Sequence, residues 1–322
     1  MKTLCILLAT LIAYVTSWNS EIPDPSYLTC INYAFGHVNE TFDGVRIDNP
    51  EKLQAIVALK EQNPELKVVL SIGGWGSGRF SEMVTDPHLR RCFAKDCRRV
   101  VDEFALDGID IDWEYPGSSV AGISSAPTDR RNYTRLMRDI RKAIGRERIL
   151  SHATVASCKF IDYKAVNRYV DYTNVMTYDM GDEHTHNSPL FKSALVHDYS
   201  ADECMQMYVR AGVPRNKLVM GLAFYGRGRK DFRKLWDKET LTAPEGYSSQ
   251  WDAEAGVPYI TDDRGEFVFG YENTTSLRLK AYYIRQQGFL GAMYWSYESD
   301  NGKGDFRRTV REELERTEEP VF

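Results

Sequence analysis

The sequence predicts an α/β fold: a (β/α)8 TIM barrel with a short α+β insertion between its seventh and eighth strands. Three observations predict it. Short β-rich apolar runs alternate with amphipathic helical stretches, which is the rhythm of βα units around a parallel sheet. Eight such runs can be placed, at 11–18, 29–35, 67–72, 108–113, 149–156, 172–177, 218–224 and 289–295, as a closed barrel needs. Finally, the 322 residues contain no internal repeat and no long linker, so one domain spanning 1–322 is expected.

The helices follow from period. Residues 50–62 carry Leu53, Ile56, Val57 and Leu59 on one face. Residues 129–144 set Leu136, Met137, Ile140 and Ile144 against a face of Arg and Asp. Stretches 96–104 and 201–211 fit the same role, and each reads as a helix coating the barrel. The rhythm breaks at 228–271, which is too long for a βα loop and holds Trp236, Tyr247, Trp251, Tyr259, Phe267 and Phe269. It reads as a reduced insertion subdomain with strands near 259–261 and 266–269, joined by a turn at Asp263-Arg264-Gly265. Residues 117–127, rich in Ser, Gly, Ala and Pro, read as a long loop after the fourth strand.

Lys2 followed by the apolar run 4–15 looks like a short secretory leader. The same residues also begin the first strand, and cleavage after Ala13 would cut that strand in half. A retained strand is therefore expected. The run falls short of the roughly 20 residues of a spanning helix, so no membrane span is expected. A net charge of -5 argues against a nucleic-acid binder. The six cysteines form no Cys-x-x-Cys pair, so zinc and redox readings lack their spacing, and they lie mostly in apolar or helical stretches, which favours buried free thiols over disulfides. No metal and no cofactor is expected. His184-Thr185-His186 reads as an ordinary loop, and Gly73-Gly74-Trp75-Gly76 lacks the Gly-Lys-Ser/Thr of a phosphate loop.

The chemistry concentrates in the fourth strand. Side chains alternate across a strand, so Asp110, Asp112 and Glu114 share one face while Ile109, Ile111 and Trp113 share the other. In a barrel the apolar set meets the helices and the acidic set points inward. Three buried carboxylates in a row are costly unless they share protons or hydrogen bonds, and such crowding drives their pKa values apart. Glu114 lies at the strand's C-terminal end, where barrel enzymes build their active sites. That position suits a general acid, with Asp112 as its nearest partner; a solvated strand end or a magnesium site is the competing reading.

The string Asp107-Gly108-Ile109-Asp110-Ile111-Asp112-Trp113-Glu114-Tyr115-Pro116 resembles the signature of glycoside hydrolase family 18 chitinases. Further matches follow in order: Ser71-Ile72-Gly73-Gly74-Trp75, Met176-Thr177-Tyr178-Asp179, Ala223-Phe224-Tyr225-Gly226-Arg227 and Gly291-Ala292-Met293-Tyr294-Trp295. The resemblance implies retaining hydrolysis of β-1,4 linkages in chitin or an N-acetylglucosamine oligosaccharide, with the substrate's own N-acetyl group as nucleophile. It implies Glu114 as acid and then base, Asp112 as stabiliser of the acetamido nitrogen, Asp110 as its proton-sharing partner and Tyr178 as donor to the acetamido oxygen. Asp179 would position the same sugar and Arg227 would hydrogen-bond it. Trp295 would floor the sugar to be cleaved, with Trp75 on the leaving-group side. Tyr14, Phe35, Met176 and Tyr225 would wall the pocket, and Trp18 would stack on a more distant sugar.

The insertion is shorter than in many members of that family, which implies a shallower groove and endo-type cleavage, or action on oligomers. Competing readings are a related enzyme acting on N-glycan cores or peptidoglycan-like chains, and a non-catalytic chitin-binding lectin. A lectin of this kind usually lacks the terminal acid, whereas Glu114, Asp112 and Tyr178 are all present. A monomer is expected, and the substrate favours an extracytoplasmic location.

Overall fold

A computed structural model describes residues 9–317. Its strands are β1 (Thr10–Thr16), β2 (Cys30–Val38), β3 (Val45–Ile47), β4 (Lys67–Gly73), β5 (Gly108–Asp112), β6 (Ile149–Val155), β7 (Tyr172–Met176), β8 (Leu218–Ala223), β9 (Arg227–Gly228), β10 (Ser248–Asp252), β11 (Val257–Thr261), β12 (Phe267–Gly270) and β13 (Gly291–Trp295). Its helices are α1 (Pro50–Ala58), α2 (Phe80–Thr85), α3 (Pro87–Glu103), α4 (Asp129–Ile144), α5 (Tyr163–Val166), α6 (Ala201–Arg210), α7 (Thr274–Gln287) and α8 (Asp305–Glu315).

Strands β1, β2, β4, β5, β6, β7, β8 and β13 pair in parallel in that order, and β13 returns to pair with β1. The ring is the expected (β/α)8 barrel. β3 folds back antiparallel on the end of β2, an extension that the strand pattern did not reveal.

The period-2 alternation of each strand divides the core in two. Leu11, Ala13 and Val15 of β1 face out, into the layer shared with Ile109, Ile111, Trp113 and the helices. Ile12 and Tyr14 face in, with Val69, Tyr172, Val219 and Met293. Trp113 is anchored in the outer layer by stacking on Phe80, with centroids 5.2 Å apart and planes 12° apart. It holds the end of β5 from outside and leaves the next residue, Glu114, to face the barrel mouth.

α3 begins at Pro87, well before the expected 96. Asp86 caps it by accepting from the His88 N–H, and Pro87 occupies the first turn, where its missing donor costs nothing. Between β8 and β13 lies a four-stranded antiparallel sheet, β10-β11-β12-β9, with its own apolar cluster of Phe232, Ile260, Val268, Phe269 and Tyr271. The sequence showed only two of these strands. His186, in the loop after β7, ties this sheet to the barrel: its Nε2 lies 3.0 Å from Asp252 Oδ2 and its ring packs edge-on against Tyr259 and Phe267.

Cys30, Cys97 and Cys204 are buried free thiols, and Cys92 and Cys158 are partly buried and free. Cys5 and the apolar start of the chain through residue 8 lie outside the described residues. No helix among the described residues is long and apolar enough to cross a membrane.

Candidate active site

A cavity of about 880 Å³ opens at the C-terminal ends of the barrel strands. Tyr14, Trp18, Phe35, Trp75, Asp112, Glu114, Met176, Tyr178, Asp179, Tyr225 and Trp295 all line it. The structure thus brings together all but two of the residues singled out in the sequence. Asp110 lies deeper in the barrel, bonded to the lining residue Tyr14, and Arg227 is partly exposed and pairs with the lining residue Asp179.

Asp110 is fully buried in the barrel and is saturated with donors. Its Oδ1 accepts from Ser151 Oγ at 2.6 Å and Asn174 Nδ2 at 3.2 Å. Its Oδ2 accepts from Ser71 Oγ at 2.8 Å and the Tyr14 hydroxyl at 3.0 Å. Burial pushes its pKa up, and the hydrogen bonds from Ser151, Ser71, Tyr14 and Asn174 oppose that push. Asp112, two residues on, has the opposite surroundings. Its Oδ1 is buried with no hydrogen-bond partner, and burial, then the charges of Glu114 and Asp110, push its pKa well above the carboxylate range.

Glu114 completes the row. Its pKa is raised to about 7, chiefly by burial, with the charge of Asp179 adding to the rise and a hydrogen bond with Tyr115 opposing it. A carboxyl in this state holds a proton near neutrality and can deliver it to a bound molecule. Asp179, at φ 55, accepts from the Tyr225 hydroxyl at 2.8 Å and from Arg227 Nη1 at 2.5 Å. Arg227 therefore braces Asp179, while Tyr225 both braces it and lines the cavity. Tyr178 is buried with its ring edge-on to Tyr225, centroids 6.1 Å apart, and burial raises its hydroxyl pKa.

The aromatic wall is continuous. Phe35 stacks on Trp295 at 5.7 Å, Tyr14 lies 6.0 Å from Trp295, and Trp18 lies 6.3 Å from both Phe35 and Trp295. Trp18 and Trp75 remain 67% and 64% exposed, large flat apolar faces left open to water at the rim. Glycines let the backbone close around the site. At Gly73, φ is +134° and a Cβ would sit 1.9 Å from the Asp112 carbonyl oxygen, so only glycine lets β4 approach β5 there. A Cβ on Gly74 would strike the Phe35 ring.

Sequence reasoning missed one end of the cavity, lined by His37, Arg46, Asp48, Ser77 and Arg79. His37 Nε2 lies 2.9 Å from Asp48 Oδ2 and its Nδ1 lies 2.8 Å from Ser77 Oγ. Burial lowers the His37 pKa, and Asp48 opposes that shift. One signal was available: His37 stands two residues after Phe35 on β2, hence on the same face.

Comparison with known proteins supports the geometry. The model of glycosyl hydrolases family 18 matches residues 10–300. Mouse chitotriosidase-1 is 29% identical, over 95% of this chain and 78% of its own length. Chitinase A1 of Niallia circulans is 30% identical, over 82% of this chain and 45% of its own. A solved family 18 N-acetylglucosaminidase from Paenibacillus barengoltzii is 32% identical, superposes with a TM-score of 0.86, and is covered over 95% of this chain and all of that one. With its barrel closed and its acidic strand opening into the cavity, this chain belongs to glycosyl hydrolases family 18 and is a glycoside hydrolase.

Proposed function

We propose that the enzyme is a retaining, endo-type chitinase that cleaves β-1,4 linkages between N-acetylglucosamine units, using the substrate's N-acetyl group as nucleophile. The observation that carries this reading is the acidic row at the end of β5: Asp112 and Glu114 both line the cavity above the buried Asp110, and burial raises Glu114 to about 7 and pushes Asp112 well above the carboxylate range. Glu114 protonates the bridging oxygen as the acetamido carbonyl oxygen attacks the anomeric carbon, breaking the glycosidic bond and giving an oxazolinium ion. Asp112 accepts from the acetamido N–H and orients the group as positive charge develops on its nitrogen. Tyr178 donates to the acetamido oxygen and holds it in line, so the attack becomes effectively unimolecular. Glu114, now ionised, takes a proton from water as that water opens the ring with net retention.

Trp295 and Phe35 form the apolar floor for the reacting sugar, and the exposed faces of Trp18 and Trp75 suit sugars beyond it. The groove is built from the strand ends of one chain, which fits action as a monomer. A second reading, release of single N-acetylglucosamine units, draws support from the Paenibacillus barengoltzii neighbour described as an N-acetylglucosaminidase. Product profiles from N-acetylglucosamine oligomers separate the two: mixed internal products support endo cleavage, and monosaccharide alone supports the second reading. Glu114→Gln tests the acid in either case, since turnover equal to wild type would overturn its assignment.

A further inference from the structure

The outer wall of the barrel carries a concentration of positive charge that the active site does not use. Two adjoining depressions of about 500 and 490 Å³ run beside α4 and share Arg138 and Tyr169. Nine cationic side chains and two carboxylates line them, on a chain whose formal net charge is -5. The spacing of α4 builds this face. Arg131, Arg135, Arg138 and Lys142 recur every three or four residues on one side, while Leu136, Met137, Ile140 and Ile144 on the other are buried against the barrel.

Some of these charges serve the fold. Arg141 donates to the carbonyls of Tyr169, Gly145 and Arg148 and pairs with Asp171 at 2.6 Å. Lys217 Nζ donates to the Asn167 and Val170 carbonyls, and Arg138 pairs with Asp139. Asp162 accepts from the Ala165 N–H at the start of α5. Six cations remain: Arg130, Arg131, Arg135, Lys142, Arg146 and Arg168. All are exposed, and none forms an ion pair among the described residues. Like charges fixed along one rigid face repel one another, and a row of anions relieves that repulsion.

We propose that this trough binds an acidic polysaccharide, a chain bearing sulfate or carboxylate groups, and so holds the enzyme on an anionic matrix while the groove acts elsewhere. Most of the cations are arginines, whose planar forks match such oxyanions. Tyr169 is the single aromatic of the lining and is half-buried, so the trough lacks the stacking platform that single-stranded nucleic acid uses. No large apolar side chain stands exposed in it, so it lacks what a helix uses to enter a lipid interface. None of its lining residues lines the catalytic cavity. α4 begins where the 117–127 loop from β5 ends, so the trough starts near the catalytic face and runs down the barrel wall.

The test measures binding of the whole chain to heparin, with hyaluronan as a carboxylate probe, dextran as a neutral control, and duplex DNA and anionic vesicles as rivals. The expected result is heparin binding that weakens at least about tenfold between 50 and 200 mM salt, as counterion release requires. The triple variant R131E/K142E/R146E is expected to weaken it at least tenfold at fixed salt and to leave chito-oligosaccharide turnover unchanged. Should the triple variant fold poorly, R131E/R146E serves, because those two exposed side chains make no hydrogen bond among the described residues. Absence of wild-type binding, variant binding equal to wild type, or tighter binding to DNA or vesicles than to heparin would each overturn the proposal.

Discussion

Asp110 and Asp112 stand two residues apart on the inner face of β5, yet Asp110 accepts four hydrogen bonds while Asp112 Oδ1 accepts none. The donors favour charge on Asp110 and leave Asp112 as the better holder of a proton. Asp110→Ala would leave the groups of Tyr14, Ser71, Ser151 and Asn174 without their buried acceptor. A loss of about 3–5 kcal/mol is expected in urea unfolding. A loss below about 1 kcal/mol would show that this cluster is dispensable to the fold.

The raised pKa of Glu114 carries a sign for stability. Its folded value of about 7 exceeds the unfolded carboxylate value, so between about pH 4.3 and 7 the folded state holds a proton that the unfolded state has lost. Stability should therefore fall across that window as pH rises, then level off. Glu114→Gln removes the titration and should recover up to about 3 kcal/mol at pH 8. Parallel stability curves for wild type and variant between pH 4 and 8 would contradict the shift.

The same shift governs the rate. In the proposed mechanism Glu114 must carry a proton to start the reaction, so kcat/KM should fall tenfold per pH unit above about 7. A flat alkaline limb to pH 9 would mean that the proton comes from another group.

Tyr178→Phe removes the hydroxyl that the proposed mechanism aims at the acetamido oxygen and keeps the ring against Tyr225. A fall in kcat of about 10²-fold with little change in KM is expected, because the bond strengthens in the transition state. A rise in KM alone would reduce Tyr178 to a wall of the pocket.

The exposed Trp18 face makes its own forecast. Trp18→Ala should raise KM about tenfold for a hexasaccharide, within the usual worth of an aromatic contact, and leave a disaccharide unit's turnover unchanged. Equal effects on both would place Trp18 at the reacting sugar instead.

The barrel strands were legible because their alternation survives burial, as β1 and β5 show. α7 was not: Lys280 lies fully buried on it, paired with Glu272 and donating to the Ser188 carbonyl, so its inward face carries a charge. α8 hides in the same way, with Arg307 and Glu313 buried. β10 is mostly exposed and offers no apolar period to read. In the active site, the acidic strand and the aromatics at strand ends were readable from local motifs. The His37–Asp48–Ser77 end was not, because it forms only when the loop after β4 meets the β2–β3 hairpin.

In the proposed mechanism the substrate's own N-acetyl group supplies the nucleophile. The most direct measurement compares wild-type hydrolysis of an N-acetylglucosamine hexamer with that of its fully N-deacetylated counterpart. A preference of at least about 10³-fold for the acetylated chain is expected, since the attacking oxygen is absent from the other. Comparable rates on the two chains would contradict the account.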